Sequence, residues 1–329
     1  MDEFGFIASL LAPLAEGEKG ALGLKDDAAV LDIPPGQELV VTKDAIVQGV
    51  HFIGDEPASL IARKLLRVNL SDLAAMGATP RAYFLALMLP GSANEAWLAD
   101  FADGLRMDGQ EYGITLMGGD TVRTPGPLAL SLTALGTVPR GQALTRSGAK
   151  PGDAVYVTGT IGDGALGLQI ANGTLQAEGS VCDLQQATRD HLLQRYRLPR
   201  PRLALAGALR SIATACIDIS DGLMQDLEHI CTASGAGAEI RWPDIPLSEA
   251  AWLALGDRQN PYEIILAGGD DYELLFTVPL LNEQKLQEAA KASGVSVTRI
   301  GQVTEGKEVV VLDAQEKEII LARRGYRHF

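Results

Sequence analysis

A chain of 329 residues is about twice the usual length of one domain, so two domains are expected, and with 47% hydrophobic residues each can bury a core. The net charge of −14 excludes nucleic acid or an anionic membrane as the main partner, since both need a basic surface; an anionic substrate stays open if cations bridge it to the carboxylates. Three cysteines without metal-ligand spacing (Cys182, Cys216, Cys231), an acidic start at Met1-Asp2-Glu3-Phe4 and no apolar run near the ~18 residues of a membrane span read as a soluble, reduced, cytoplasmic protein.

In chain order, 4–15 reads as a short amphipathic helix, followed by a Gly-rich connection to Lys25-Asp26-Asp27. Runs 28–33 and 38–42 are β-like, and Pro34-Pro35-Gly36 between them predicts a hairpin. Leu65, Leu66, Leu70, Leu73 and Ala74 recur at helical spacing after Pro57, with Gly77 as the stop, and place Asn69 and Asp72 on one face of an amphipathic helix. That face suits a metal ion or plain solvent. An apolar strand over 83–89, a helix over 94–112 with Trp97, Leu98, Phe101 and Leu105 on one stripe, and strands over 114–117 and 128–138 complete an α+β half with a mixed or antiparallel sheet.

The boundary is expected within 139–153, giving domains 1–140 and 141–329. The second half starts with a strand over 154–158, then a Gly-rich turn over 158–164 leading into a helix over 165–171. Residues 172–186 are polar and irregular, a candidate mobile loop. Helices follow over 202–213, 223–233 and 282–293, with strands over 216–219, 272–278 and within 295–322.

One theme recurs in both halves, an acid at a Gly-punctuated junction. It occurs at Asp26-Asp27, Thr42-Lys43-Asp44, Asn69/Asp72, Gly118-Gly119-Asp120-Thr121 after a strand, Asp218-Ile219-Ser220-Asp221-Gly222, and Gly268-Gly269-Asp270-Asp271-Tyr272-Glu273-Leu274. Each taken singly is ordinary turn or cap chemistry. Together they favour a metal–phosphate site, because Mg2+ takes a few carboxylates plus substrate phosphates and so many acids would otherwise repel one another. Ser220-Asp221-Gly222 opens a helix whose amides favour anions. Arg146 in Thr145-Arg146-Ser147 can bind phosphate bidentately, and the 158–164 turn is either a phosphate cradle or a plain tight turn. His51 is a packing residue or a ligand on equal grounds. No Walker-type loop and no protein-kinase signature is present.

Taken in order, Asp-Asp-Ala-Ala (26–29), Asp44 with His51-Phe52, Asn-Leu-Ser-Asp-Leu-Ala-Ala-Met-Gly-Ala (69–78), Gly-Gly-Asp-Thr (118–121), Leu-Thr-Arg-Ser-Gly-Ala-Lys-Pro-Gly-Asp (144–153), Asp-Ile-Ser-Asp-Gly-Leu (218–223) and Gly-Gly-Asp-Asp-Tyr-Glu-Leu (268–274) resemble the thiamine-monophosphate kinase family, of the superfamily that holds aminoimidazole ribonucleotide synthetase. The resemblance runs from about Phe4 to Phe329. It implies an N-terminal mixed-sheet α+β domain that binds ATP and Mg2+ and pairs in a homodimer, with a β-barrel at the interface. It also implies a C-terminal α/β domain that completes the site, and transfer of the γ-phosphoryl of ATP to thiamine monophosphate. By the same resemblance Asp27, Thr42, Lys43 through its backbone, Asp44, Asp72, Asp120, Asp218 and Asp221 match metal positions. Gly119, Asp120, Arg146 and Ser220 match nucleotide positions, and His51, Asp270 and Tyr326 match substrate positions.

The chain departs from the family at Lys43, where Ser-Thr-Asp is usual, and at Lys25, where Gly is common. No catalytic base is expected, because a phosphate monoester with a second pKa near ~6 is already largely deprotonated at neutral pH. Alignment and charge neutralisation are what remain to be supplied: at an effective dielectric of ~20, two unit charges 4 Å apart repel by ~4 kcal/mol. The alternatives are another ATP-dependent synthetase of the superfamily and a non-enzymatic divalent-cation-binding protein.

Overall fold

The first expected helix is helical but irregular. Helix α1 (Glu3–Phe6) widens into a π turn at Ile7–Leu11 and tightens into a 3-10 turn at Ala12–Ala15. Pro13 explains the change of pitch, since it has no N–H to continue the α ladder. The computed structural model describes residues 3–175, 184–256, 258 and 260–326. They divide into two units, Met1–Leu73 with Ala78–Gln142, and Ala74–Gly77 with Ala143–Phe329.

In the first unit the predicted hairpin does not form. Strand β1 (Gln37–Val47) pairs instead with β4 (Ala129–Pro139) along its whole length, from Gln37 opposite Pro139 to Val47 opposite Ala129. Pro34 and Pro35 offer no N–H to a ladder, and Val30 N–H donates to the Gly20 carbonyl (2.9 Å) rather than to a strand. The turn signal itself is real, with Gly36 at φ +79° and Gln37 N–H donating to Pro34 O.

Helix α2 (Ala58–Ala75) lies between β1 and β2 (Thr79–Leu89), and α3 (Glu95–Tyr112) between β2 and β3 (Thr115–Arg123). The sheet order is β1-β4-β2-β3, antiparallel except for the parallel β2/β3 pair, so the expected mixed α+β sheet is present. Strand β3 is longer than expected and carries Gly118-Gly119-Asp120-Thr121 inside it rather than after it. Gly119 permits this, since a Cβ there would sit 1.9 Å from the Leu85 carbonyl oxygen on β2.

Helix α2 is not amphipathic. Leu65, Leu66, Leu70 and Leu73 are buried as expected, but so are Lys64, Arg67, Asn69 and Ser71. Long-range partners make this tolerable. Arg67 forms a two-pronged pair with Asp108 on α3 (2.6 and 2.9 Å), Arg63 Nε adds a third bond to Asp108 (2.8 Å), and Lys64 Nζ donates to the His51 carbonyl (3.0 Å). Gly104 of α3 lets the two helices approach, because a Cβ would meet the Ser59 backbone at 2.3 Å. Gly77 at φ +69° ends the run.

The second unit holds a six-stranded sheet in the order β10-β7-β9-β5-β8-β6. Its strands are β5 (Ala154–Thr158), β6 (Ala215–Asp218), β7 (Gly237–Arg241), β8 (Leu274–Val278), β9 (Val297–Thr304) and β10 (Val309–Leu312). Every pairing except β10/β7 is antiparallel, which corrects the expected α/β domain to α+β. Both sheets are open, and neither closes into a barrel among the described residues.

Helices α4 (Asp163–Ala171), α5 (Gln186–Arg197), α6 (Leu203–Leu209), α7 (Leu223–Ser234), α8 (Glu249–Leu255), α9 (Tyr262–Leu266) and α10 (Glu283–Ser293) flank this sheet. On one side Val155, Val157, Ile217 and Leu275 pack with Leu166 and Leu227. On the other, Tyr156 stacks on Phe276 at 5.9 Å beside Leu205 and Leu286. Cys216 and Cys231 are buried free thiols, as expected of packing residues, while Cys182 and 176–183 of the expected loop lie outside the described residues.

Truncating Asp108 removes the two-pronged partner of the buried Arg67 guanidinium and leaves the half-exposed Glu111 carboxylate (3.1 Å) to balance its charge. Asp108→Ala is expected to destabilise the protein by about 3–5 kcal/mol, measured as a lower urea midpoint.

Candidate active site

Strand alternation sorts the acids of the first unit. Val40, Thr42, Asp44 and Ile46 face α2, and Leu39, Val41, Lys43 and Ala45 face away. On the helix side Thr42 Oγ1 donates to Asp72 Oδ2, and Asp44 N–H donates to Asn69 Oδ1 (3.1 Å). Asn69 is fully buried and anchored by its own donation to the Leu65 carbonyl (2.9 Å), so its amide oxygen fixes the backbone at Asp44. Asn69 and Asp72 thus both turn toward β1, on the one helix face that their spacing predicts.

The opposite face carries the other group. In register, Lys43 stands beside Thr133, then Phe84, then Gly118, and the next row runs Ala45, Ser131, Ala86, Asp120. A cleft of about 440 Å3 opens here, lined by Asp26, Asp27, Phe84, Met117, Gly119 and Asp120 among others. Lys43 Nζ reaches Thr133 Oγ1 at 3.3 Å. Asp27, Gly119 and Asp120 thus share one cleft, and Thr42, Asp44 and Asp72 share the helix side of the sheet. His51 sits in the turn after β1, where Val47 N–H donates to its Nδ1 (3.1 Å), a local structural use of the ring.

In the second unit β6 delivers Asp218, nearly buried, to the mouth of the sheet, and Ser220-Asp221-Gly222 follow at the start of α7. Asp226, one turn into α7, accepts N–H bonds from Asp221 (3.2 Å) and Gly222 (3.1 Å). Burial, reinforced by the Asp221 charge, raises the Asp226 carboxyl to about 7, with Arg146 pulling the other way. The Arg146 carbonyl accepts from Ser234 Oγ at the far end of α7 (3.4 Å). Asp221 Oδ2 accepts from Gln225 Nε2 (3.0 Å), which also donates to the Tyr326 carbonyl (3.0 Å), and Tyr326 N–H donates to Asp221 O (3.0 Å). The chain end is thereby held across the start of α7, with the Tyr326 side half exposed. Arg327-His328-Phe329 lie outside the described residues.

The Gly268–Leu274 segment divides its acids by direction. Asp271 is fully buried and accepts from Gly162 N–H (2.7 Å) and Gly164 N–H (3.0 Å). Glu273, also fully buried, accepts from Thr158 Oγ1, Arg195 and Arg202. Asp270 is half-buried and its N–H donates to Ser220 O (2.9 Å), so a substrate-position residue and a nucleotide-position residue are backbone neighbours. The 158–164 turn is not a phosphate cradle: the amides expected to meet phosphate are occupied by the carboxylate of Asp271.

Gln225 and Asp226 escaped the sequence reading. The signal was present, an acid four residues after a Gly that opens a helix. Among the described residues no three His, Cys, Asp or Glu side chains stand together in a metal-holding group. The donors that are present, carboxylates and a hydroxyl, still have the hard-oxygen chemistry of Mg2+, which keeps several waters and needs only one or two carboxylates with substrate phosphates. Dispersed pairs such as Thr42 with Asp72, and Asp27 with Asp120, fit that demand better than a closed cage would.

Residues 25–138 match the N-terminal domain model of the AIR synthase related proteins, and 150–313 match the C-terminal one. The chain is 46% identical over 329 residues to the thiamine-monophosphate kinase of Caulobacter vibrioides, spanning 99% of this chain and 90% of that one. The crystal structure of thiamine-monophosphate kinase from Stenotrophomonas maltophilia K279a superposes with a TM-score of 0.83 at 41% identity, covering 94% of this chain and 96% of that one. The structure of AaThiL complexed with AMPPCP and TMP superposes with a TM-score of 0.77 at 29% identity, covering 92% and 91%.

Burial raises the carboxyl of Asp271 to about 8 and that of Asp226 to about 7, against an ordinary 3.8. Each is protonated in the folded chain at a pH where the unfolded chain has released its proton. The associated stability is present in full below about pH 4 and is lost as pH rises through 7 to 8. Asp226→Asn and Asp271→Asn should each flatten the decline of unfolding free energy between pH 4 and 8 relative to the parent, measured by urea titration across that range.

Proposed function

The chain belongs to the thiamine-monophosphate kinase family of the AIR synthase related proteins, and from that premise we infer that it transfers the γ-phosphoryl group of ATP to thiamine monophosphate, giving thiamine diphosphate and ADP. One observation carries the reading: near-complete alignment at 46% identity with a thiamine-monophosphate kinase. A structural relative bound to AMPPCP and TMP supports both substrates.

In this reading the N-terminal domain, 1–140, binds ATP and Mg2+ and dimerises, and the C-terminal domain, 141–329, completes the active site with further metal, nucleotide and substrate residues. Asp27, Thr42, the Lys43 backbone, Asp44, Asp72, Asp120, Asp218 and Asp221 would hold Mg2+, which when bound supplies positive charge to the transferring phosphoryl group. Gly119, Asp120, Arg146 and Ser220 meet the nucleotide, and His51, Asp270 and Tyr326 meet thiamine monophosphate. Asn69 keeps Asp44 in place through its backbone, and Thr42 fixes the rotamer of Asp72. The Tyr326 ring offers a π face to a cationic thiazolium. The acceptor phosphate arrives deprotonated, so no side chain has to remove a proton, and the protein's task is alignment in line with the leaving group.

The same reading includes a homodimer. Leu39, Val41 (56% exposed) and Val122 (44% exposed) project from the sheet face turned away from α2, a suitable surface for pairing two copies into a barrel. No helix among the described residues is long and apolar enough to cross a membrane, and the ATP requirement with free buried thiols favours the cytoplasm.

With Mg-ATP, thiamine diphosphate is expected to appear in step with ADP only when thiamine monophosphate is present. Asp72→Asn, Asp44→Asn and Asp221→Asn should each lower turnover by roughly a hundredfold or more with the circular dichroism spectrum unchanged. Near-normal turnover of these variants at saturating Mg2+ would count against the assignment.

A further inference from the structure

We propose that Asp271, which is sealed away from solvent, is a positioning residue for the acceptor. It holds Asp270 in the backbone conformation that presents the Asp270 carboxylate to thiamine monophosphate. The proposal rests on the kinase reading and deepens its acceptor side.

The observation behind it is backbone geometry. Asp270 and Tyr272 lie at φ +67° and +51°, in the left-handed region that side-chain-bearing residues rarely adopt. They flank Asp271 on either side. Single residues persist there only where their surroundings over-determine them, and the surroundings here are identifiable. Asp271 is drawn inward by the Gly162 and Gly164 amides at the start of α4. Tyr272 N–H is pinned to Ile219 O (2.8 Å), and Asp270 N–H to Ser220 O (2.9 Å). Gly164 allows the approach, since a Cβ there would lie 2.2 Å from the Asp270 carbonyl oxygen.

A helix cap alone would ask for the Asp271 carboxylate and nothing of its neighbours. The inward anchor forces both flanking residues into left-handed backbone, and that turn leaves Asp270 half-buried beside Ser220 while Asp271 and Glu273 are fully enclosed. Asp271 therefore aims Asp270 without touching substrate. A cap-only role predicts lost stability with both ligands affected alike; the positioning role predicts a selective loss on the acceptor side.

The test is calorimetric titration of the full-length protein with thiamine monophosphate and, separately, with Mg-AMPPCP. Asp271→Asn keeps the shape but sets an amide NH2 against two N–H donors. It should weaken thiamine monophosphate binding by about tenfold or more while nucleotide affinity stays within about threefold. Gly164→Ala keeps the Asp271 carboxyl but sets a Cβ 2.2 Å from the Asp270 carbonyl oxygen and 2.9 Å from the Asp271 backbone nitrogen, which displaces the peptide between them. It is expected to give the same selective loss, and it decides the matter if Asp271→Asn does not fold. Equal weakening of both ligands, or folded variants with parental affinity for the acceptor, would overturn the positioning role alone. A parent protein that binds AMPPCP but no thiamine monophosphate would overturn the kinase reading and this proposal with it.

Discussion

A carboxylate taken out of water must be given donors, and much of the second unit is arranged to give them. Glu273 receives two arginines and a threonine hydroxyl, Asp271 two amides at the start of α4, and Asp226 two amides at the start of α7. Glu273 and Asp271 join elements far apart in sequence, and Asp226 ties down the start of its own helix. Removing a donor leaves a buried acceptor unpaired, and removing the acid leaves buried donors, so neither side of each pair is dispensable. In the same motifs Asp221 and Asp270 are only half-buried, so the cost of desolvation bears on them less.

Motifs of the chain thus share out their work by direction. In Gly-Gly-Asp-Asp-Tyr-Glu-Leu the second Asp and the Glu build the unit, and the first Asp is turned outward. In Asp-Ile-Ser-Asp-Gly-Leu the two acids mark the end of β6 and the start of α7, with Asp226 beneath them. Spacing alone shows that such residues cluster; only the backbone shows which of them leave the cluster for the interior.

That distinction also marks what the chain discloses before it is folded. Strand β5 is legible to the residue, because a run of apolar side chains bounded by turn signals has one reading. Helix α7 is legible to within a residue, since Gly222 and Gly235 bracket it. The burial of Arg67 is not legible, because its partner Asp108 lies on another helix, and a charged residue without a visible partner reads as solvent-facing. The hairpin at 28–42 failed for a related reason: local turn chemistry was right, but the partner of β1 was β4, over eighty residues away. Helix α5 escaped notice because its polar composition hides a narrow apolar stripe. The acidic constellation was visible throughout, whereas the occupation of the Gly162 and Gly164 amides by Asp271 requires a contact that spans more than a hundred residues.

The alternation of β1 has a consequence for how this site can change over generations. Thr42 and Asp44 look toward α2, and Lys43 between them looks the other way, toward Thr133 and the row that leads to the cleft. Neighbouring codons therefore specify chemistry on opposite sides of a sheet. Exchanging an ammonium for a hydroxyl at position 43 alters the charge seen by a polyanion on one face and leaves the side chains of Thr42 and Asp44 on the other as they are. A single strand gives the lineage two separately adjustable surfaces.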